Sequence, residues 1–190
     1  MGHSNEDKAE SHERIVQAAA ARFREAGVNG IGVEKLMKEA GLTHGGFYRH
    51  FASREELVGE AVERALSDGG KRAIDAATKS EHPLVALVNG YLSMSHRDDL
   101  GTSCAVTTLA ADIARSNERA KSAYTRQVNV YLELLTKLIK DDTLESRRLQ
   151  AITALSTLVG AVSMARAVND KKLSREILRS AAKELKAQLE

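Results

Sequence analysis

The sequence is poor in the residues that build strands and turns. Its 190 residues include one proline, no tryptophan, three phenylalanines and four tyrosines. Aromatic residues are typical of strands, and the chain is instead rich in Ala, Leu, Glu, Lys and Arg, which favour helices. The composition therefore predicts an all-α fold.

Cysteine is nearly absent as well. Because Cys104 is the single cysteine, the chain can form neither an internal disulfide nor a zinc site built on several thiolates. Nothing in this composition requires an oxidising compartment, so we expect a cytoplasmic protein. The net charge of +2 neither indicates nor excludes a nucleic-acid partner.

No segment predicts a membrane span. The uncharged stretch between Arg148 and Arg166 contains polar residues such as Gln150 and Thr153, and about 18 mostly apolar residues are needed to cross a bilayer. We interpret it as a buried helix, and we expect no membrane partner. The polar residues 1–11 predict a flexible N-terminal arm.

Hydrophobic periodicity divides the rest of the chain into short helices followed by long ones. Three short helices are predicted over 12–26, 33–40 and 44–50, and Ser53 with Glu56 forms a capping box that opens a fourth helix reaching about Asp68. Longer amphipathic helices follow from Pro83 onward, with predicted bounds of 104–114, 117–140 and 145–168 before a last helix. The pattern predicts a small domain over 12–52 and a larger antiparallel helical domain over 53–190.

The segment from Val33 to Phe51 has the outline of a helix-turn-helix. Its two short helices are joined by Gly41, which allows the chain to reverse, and by Leu42, which would pack beneath the turn. Thr43 is placed to cap the second helix, and Phe47 and Phe51 would point inward. An ordinary helical corner can have the same outline.

Several residues near this turn suit contact with DNA. The start of a helix attracts phosphate, and Gly45 and Gly46 cost about 1 kcal/mol each in a helix relative to alanine, which suggests that their small size is needed. No acidic residue lies between Glu39 and Glu55. Basic or hydrogen-bonding side chains are present there instead, namely His44, Tyr48, Arg49, His50 and Arg54.

Residues 40–57, AGLTHGGFYRHFASREEL, resemble the signature of the TetR family of bacterial transcriptional regulators. The usual pattern is A-G-V-S-x-G-x-hydrophobic-Y-x-H-F-x-S-K-x-x-L. The similarity covers about residues 12–60, and the phrase TSCAVTTLAADIAR resembles one branch of these regulators. The sequence departs from the family where Gly32, Met37 and Gly46 replace the customary residues.

The resemblance implies a ligand-responsive repressor. Such a protein binds a palindromic double-stranded DNA operator as a homodimer, with two recognition helices in successive major grooves, and a small-molecule effector releases it. By the same resemblance, the contacts to the DNA backbone fall at Thr43, Gly45, Tyr48, His50 and Arg54. Those near base edges fall at His44, Gly46 and Arg49.

The larger domain would enclose the effector, because helical bundles readily form apolar cavities between helices. Met and Tyr at helical spacing more often simply pack in the core, and this alternative stays open for each residue. The candidate lining residues are Tyr91, Met94, Ser95, Cys104, Thr108, Tyr131 and Met164.

The last two helices are candidates for a dimer interface. Small residues allow close helix approach, and apolar residues recur every four positions along the last helix, so the pair could form a four-helix contact with a second copy. The alternative is that both helices are buried in the monomer. The predicted interface residues are Ala154, Leu158, Ala161, Ala165, Ile177 and Ala181.

An enzymatic reading is the main alternative to a regulator. Cys104, His96 and Asp98 or Asp99 could supply a nucleophile, a base and an orienting group, and Cys104 could act as a redox switch, although no resolving cysteine exists. No catalytic motif supports this reading. His44 and His50 do not share a helix face, so we predict no metal site, no cofactor and no catalytic residue. A helical small-molecule-binding protein and a structural adaptor stay as further alternatives.

Overall fold

Helices account for the regular structure throughout the part of the chain that the computed structural model describes, residues 5–189 without the side chains of 70–74 and 76. No strand occurs within that range, and the predicted all-α fold is confirmed. A 3-10 helix covers His44–Arg49. The α-helices are α1 (Asn5–Ala26), α2 (Val33–Glu39), α3 (Arg54–Thr78), α4 (Pro83–Tyr91), α5 (Met94–Asp98), α6 (Ala105–Thr108), α7 (Ala110–Ala114), α8 (Glu118–Leu138), α9 (Leu144–Ala167) and α10 (Lys171–Leu189).

Helix α1 forms the floor of the N-terminal domain. Its apolar residues Ile15, Ala19 and Phe23 are buried, because they recur on one face at helical spacing. The helix begins at Asn5 rather than at residue 12. Residues 5–11, which the sequence assigned to a flexible arm, therefore continue α1. Residues 1–4 of that arm lie outside the described residues.

Helix α3 connects the two halves of the molecule. The capping box is present, since Ser53 Oγ accepts a hydrogen bond from the backbone N–H of Glu56 at 3.2 Å, while Glu56 Oε2 accepts from Ala52 N–H at 2.6 Å. The helix continues to Thr78, ten residues beyond the predicted end near Asp68. It packs on α1 along one face and on α8 along another.

The larger domain is a set of antiparallel helices around this shared element. Helix α8 packs on α9, α9 packs on α10, and α4 contacts α3 and α10. The helix predicted over 104–114 is two short helices, α6 and α7, which meet at Leu109. Leu109 is fully buried, and burial of this side chain accompanies the break in the helix.

Helix α9 is apolar on more than one side. Its residues Ala154, Leu158 and Ala161 are buried within the protomer, where their small or flexible side chains meet neighbouring helices. Leu149, Ile152 and Met164 are exposed, at 66%, 45% and 55%. Among the described residues, α9 has a length and composition that would allow a membrane crossing, but a core helix of a bundle has these properties too.

Candidate nucleic-acid interface and ligand cavity

A glycine turn joins α2 to the 3-10 helix. Gly41 has φ +75°, a left-handed conformation that glycine adopts at no steric cost. The N–H of Leu42 donates to the carbonyl oxygen of Met37 at 2.8 Å, and Met37 is fully buried beneath the turn. Leu42 is half-buried against the core. This arrangement is the reversal that a helix-turn-helix requires.

The second helix of the motif is a 3-10 helix, where the sequence predicted two α-helical turns. Its tighter bonds run from Gly46 N–H to Thr43 O at 3.0 Å and from His50 N–H to Phe47 O at 2.9 Å. Two adjacent glycines weaken an α-helix, which favours the short, tight alternative. Thr43 occupies the capping position, but its side chain makes no capping hydrogen bond, so that part of the prediction is wrong.

The 3-10 helix presents a polar surface to solvent. Phe47 and Phe51 are buried, with ring centroids 5.4 Å apart, and they anchor the segment as predicted. Tyr48 is 76% exposed. We name the exposed residues of this segment the recognition surface: Thr43, His44, Gly45, Tyr48 and Arg49.

The chain itself does not require glycine at positions 45 and 46. A Cβ added at Gly45 would meet nothing within 4 Å, and one at Gly46 would lie 3.7 Å from Met37 Cε and 3.8 Å from Thr43 Oγ1, which are ordinary contacts. Neither residue has positive φ. The cost of these glycines is therefore not explained by packing within the protomer, and close approach of an external backbone remains a physical reason for them.

His50 lies at the inner edge of the recognition surface. Its Nδ1 atom is buried without a hydrogen-bond partner. Burial lowers the pKa of His50 below its usual value of 6.5, and the positive charges of His12, Lys8 and Arg49 lower it further. His12 also stacks on Phe51, with ring centroids 4.5 Å apart. The structure therefore favours a neutral His50.

Arg54 makes contacts within the chain. Its Nη2 donates to the carbonyl oxygen of Val28 at 2.5 Å, and its Nη1 donates to Asn29 Oδ1 at 3.3 Å. The side chain is half-buried and holds the loop between α1 and α2 against α3. A contact between Arg54 and DNA stays a prediction, and it would have to be made alongside these hydrogen bonds.

The first turns of α1 border the recognition surface, which the sequence did not predict. A groove of about 650 Å³ lies between them, and Lys8 and Ser11 from α1 line it together with Thr43 and Arg49. A positive charge and a hydroxyl in a segment interpreted as an arm were the available signals. They add hydrogen-bond donors beside the predicted site.

A second site is a cavity of about 360 Å³ in the larger domain. Four of the predicted lining residues are in its wall: Tyr91, Ser95, Cys104 and Tyr131. Three are elsewhere: Met94 packs against the core, Thr108 lines a different depression, and Met164 is exposed on α9. The sequence did not predict as lining residues Gly69, Ala86, Leu87, Gly90, Ser93, His96, Asp99 and Thr102.

Hydrogen bonds fix the polar groups of this cavity. The Tyr91 hydroxyl lies 2.6 Å from Thr107 Oγ1, and burial raises the pKa of Tyr91 well above its usual value, with Cys104 contributing. His96 Nε2 accepts a hydrogen bond from the backbone N–H of Cys104 at 3.0 Å. Nδ1 lies 2.6 Å from the carbonyl oxygen of Tyr91, so Nδ1 carries the proton.

This geometry does not form a cysteine–histidine catalytic pair. The thiol of Cys104 contacts the hydroxyl of Tyr131 at 3.4 Å, whereas His96 is bonded to the backbone of Cys104. A base that activates a thiol must reach its sulfur. The arrangement positions the start of α6 rather than activating a nucleophile.

The segment 93–104, which we name the coupling segment, lines the cavity and is tied to three other elements. From α1, Arg24 Nε donates to Gly101 O at 2.7 Å. From α9, Arg166 Nη2 donates to His96 O at 2.7 Å. Toward α10, Arg97 Nη1 donates to Ser174 Oγ at 2.7 Å. Movement at the cavity wall therefore reaches both the N-terminal domain and the last two helices.

The predicted dimer residues divide into two groups. Those on α9, namely Ala154, Leu158, Ala161 and Ala165, are buried within the protomer and present no free surface to a second copy. Ile177 and Ala181 on α10 are half-buried and packed against the core. The apolar residues left exposed by these two helices are Leu144, Leu149, Ile152, Met164 and Leu173.

Residues 15–61, which contain the turn and the recognition surface, match the family described as bacterial regulatory proteins, tetR family. The chain belongs to the TetR family. Members of this family are transcriptional regulators with an N-terminal helix-turn-helix, and this protein is accordingly a DNA-binding transcriptional regulator.

Relatives of this TetR-family chain are regulators as well. It is 28% identical over 160 residues to the HTH-type transcriptional regulator LmrA of Bacillus subtilis, covering 79% of this chain and 82% of LmrA. It is 34% identical over 79 residues to the HTH-type transcriptional repressor KstR2 of Mycobacterium tuberculosis, covering 42% of this chain and 40% of KstR2. These similarities support a regulator rather than an enzyme.

The fold is shared with solved TetR-family structures. A TetR transcriptional regulator from Chloroflexus aurantiacus superposes with a TM-score of 0.79 at 23% identity, over 95% of this chain and 96% of that one. The match extends through the larger helical domain, so the whole architecture, and not the N-terminal motif alone, is common to both.

Proposed function

We propose that this protein is a ligand-responsive repressor that binds a palindromic operator as a homodimer and is released by a small-molecule effector. Such a regulator acts in the cytoplasm, where it meets DNA. The family membership establishes the regulator, and the additional elements of the proposal rest on the contacts described above.

The observation that carries the proposal is the course of α3. The helix begins beside the 3-10 helix, at the Ser53 cap, and it reaches the cavity wall at Gly69. Between these ends Leu57, Ala61 and Val62 are buried, so α3 is fixed against both halves of the molecule. A ligand in the cavity would contact the same rigid element that supports the recognition surface.

The coupling segment supplies a second connection between the cavity and DNA. A ligand that prefers one position of residues 93–104 shifts the population toward that position. Because Arg24 holds α1 to Gly101 in this segment, α1 would follow. In a dimer, rotation of each N-terminal domain changes the distance between the two recognition surfaces and lowers operator affinity.

The exposed apolar side of α9 supports dimerisation. Leu149, Ile152 and Met164 lie on this helix in contact with solvent, although its other apolar residues are already buried. A second copy that places its own α9 and α10 there would remove this surface from water and form a four-helix contact. Two-fold symmetry would then present two recognition surfaces to a palindromic site.

A repression assay tests the regulatory direction. The DNA sequence that the protein selects from a random pool is placed between a promoter and a reporter gene, and the full chain is expressed in the same cell. We expect lower reporter output, and less repression by Tyr48→Phe. The control Tyr124→Phe removes a hydroxyl that donates to Val106 O in the larger domain. Unchanged or raised output with the wild-type chain would contradict a repressor.

A further inference from the structure

The cavity lacks cationic lining. Its wall in the described part of the chain contains no lysine or arginine. Asp99 is its single carboxylate there, and it is exposed while accepting hydrogen bonds from Thr102 Oγ1 at 2.6 Å and Thr102 N–H at 3.3 Å. An anionic ligand entering past Asp99 would find no opposite charge to replace its hydration.

His96 does not supply that positive charge. Its Nε2 accepts from the backbone N–H of Cys104, which requires an unprotonated nitrogen, and its Nδ1 faces the Tyr91 carbonyl oxygen. Protonation of Nε2 would turn this acceptor toward a donor and break the bond to Cys104. The imidazole is therefore held neutral by the fold.

The nearest guanidinium is directed at protein oxygens on the far side of the coupling segment. Arg166 donates from Nε to Arg97 O at 3.0 Å and from Nη2 to His96 O and Ser103 Oγ at 2.7 and 2.5 Å. Its pKa is lowered chiefly by burial. These bonds connect α9 to the coupling segment, and a carboxylate in the cavity could reach Arg166 only by displacing that backbone.

The inner wall combines apolar surface with neutral polar groups. Leu87 and Ala86 provide apolar surface, while the hydroxyl of Tyr131 and the thiol of Cys104 lie 3.4 Å apart. Gly69 leaves room beside this pair, since a Cβ there would come within 3.3 Å of the Tyr131 hydroxyl oxygen. A ligand hydroxyl or carbonyl can approach the Tyr131 hydroxyl at this gap.

We propose that the cavity binds neutral, largely apolar molecules that carry a single hydroxyl or carbonyl group, and that it discriminates against carboxylates, phosphates and ammonium ions. This inference rests on the proposed function of the cavity as the effector site. Burying an ion without a partner costs several kcal/mol, whereas a neutral hydroxyl needs one hydrogen bond. A volume of about 360 Å³ suits a molecule of one or two rings.

Three probes of nearly equal shape test the charge preference: 2-naphthol, which is neutral, 2-naphthoate, which is an anion, and 2-naphthylmethylammonium, which is a cation. Each is titrated into the full chain at pH 7 by isothermal calorimetry. We expect 2-naphthol to bind at least about tenfold more tightly than either ion, because an unpartnered charge costs more than 1.4 kcal/mol. Equal or tighter binding of either ion would overturn the proposal.

Variants locate the bound probe. Gly69→Val should abolish 2-naphthol binding, because its branched side chain fills the gap beside Tyr131. Tyr131→Phe should weaken binding about threefold to tenfold, since one hydrogen bond is lost. The matched control is Gly160→Val on α9, where an added Cβ meets nothing within 4 Å. Circular dichroism and thermal melting establish that each variant is folded.

The remaining outcomes are equally decisive. Failure of 2-naphthol to bind at up to about 1 mM, or unchanged binding by both Gly69→Val and Tyr131→Phe, would overturn the proposal. These titrations contain no DNA. A chain that binds 2-naphthol as expected but keeps its operator in the presence of saturating probe would support the cavity chemistry and count against ligand release, so the two proposals fail separately.

Discussion

The guanidinium of Arg24 reaches from α1 into the larger domain and donates from Nε to the carbonyl oxygen of Gly101 at 2.7 Å. Its Nη1 donates to Ala65 O in α3 at 3.2 Å, and the side chain is only 8% exposed. One buried cation thus joins α1, α3 and the coupling segment. Gly101 permits this approach, because a Cβ there would come within 2.5 Å of Glu25 Oε1.

Replacing Arg24 by glutamine should destabilise the protein. The substitution leaves the buried carbonyl oxygens of Gly101 and Ala65 without their donors, and we expect the free energy of unfolding to fall by about 1–3 kcal/mol. Urea unfolding followed by circular dichroism measures the change. Arg22→Gln, on the same helix but at an exposed arginine paired with Glu25 and Glu39, is the control. A larger loss for Arg22→Gln would contradict the role given to Arg24.

Removing the hydroxyl of Tyr48 should weaken DNA binding without loss of stability. The side chain is 76% exposed, so Tyr48→Phe breaks no buried contact, while a lost hydrogen bond to phosphate reduces affinity about threefold to tenfold across DNA sequences. Fluorescence anisotropy with labelled duplexes measures the affinity. Tyr124→Phe should show the opposite pattern, with lower stability and unchanged DNA affinity.

Alanine at position 45 should separate folding from DNA binding. Because nothing lies within 4 Å of an added Cβ, Gly45→Ala should leave stability unchanged or raise it by up to about 1 kcal/mol. DNA affinity should fall at least about tenfold if the backbone of the recognition surface approaches a phosphate closely. Gly41→Ala is the contrasting variant, since φ of +75° makes alanine there destabilising. Unimpaired DNA binding by Gly45→Ala would remove the reason given for this glycine.

Stability should fall as acid protonates the unfolded chain at His50. Burial lowers the pKa of His50 in the folded state below 6.5, so the unfolded chain binds the proton first. The contribution of neutral His50 is fully present above pH 6.5 and is lost as pH falls through the lower, folded pKa. His50→Asn should therefore flatten this part of the stability profile, measured by urea unfolding across the pH range. The same substitution at the exposed His82 controls for the loss of a histidine as such, and an unchanged slope in His50→Asn would contradict the assignment.

A charge on the exposed side of α9 should disrupt the proposed dimer. Ile152 is 45% exposed in the protomer, so Ile152→Asp leaves the core intact while placing a carboxylate in the apolar contact. Sedimentation velocity should show a dimer for the wild-type chain and a monomer for Ile152→Asp. Val130→Asp, at an exposed valine on α8, is the control. A dimer that persists in Ile152→Asp would place the interface elsewhere.

The sequence predicted those features of the fold that depend on local chemistry. Gly41 predicted the turn, Ser53 and Glu56 predicted the start of α3, and the spacing of Phe47 and Phe51 predicted their burial. The 3-10 geometry of His44–Arg49 was missed, since its two glycines lower the preference for an α-helix without naming the alternative. The arm was misjudged because residues 5–11 have no apolar face, although acidic residues at 6 and 7 suit the first turn of a helix.

Features that depend on which elements meet were harder to predict. An apolar stripe on α9 shows that one face is buried, but it cannot distinguish burial against α8 and α10 from burial against a second copy. This is why Ala154 and Leu158 were assigned to a dimer contact. Arg24 had the pattern of a solvated charge at the end of a helix, and only the three-dimensional structure brings Gly101 to it.

Selection of bound duplexes from a random DNA pool by the full-length protein tests the central claim most directly. If two recognition surfaces of a symmetric dimer read successive major grooves, the enriched sequences form a palindrome whose half-site centres lie about 10 base pairs apart or a multiple of that spacing. Enrichment should disappear with Gly45→Ala. A pool that shows no preferred sequence, or a single half-site without two-fold symmetry, would contradict a dimeric, sequence-specific regulator.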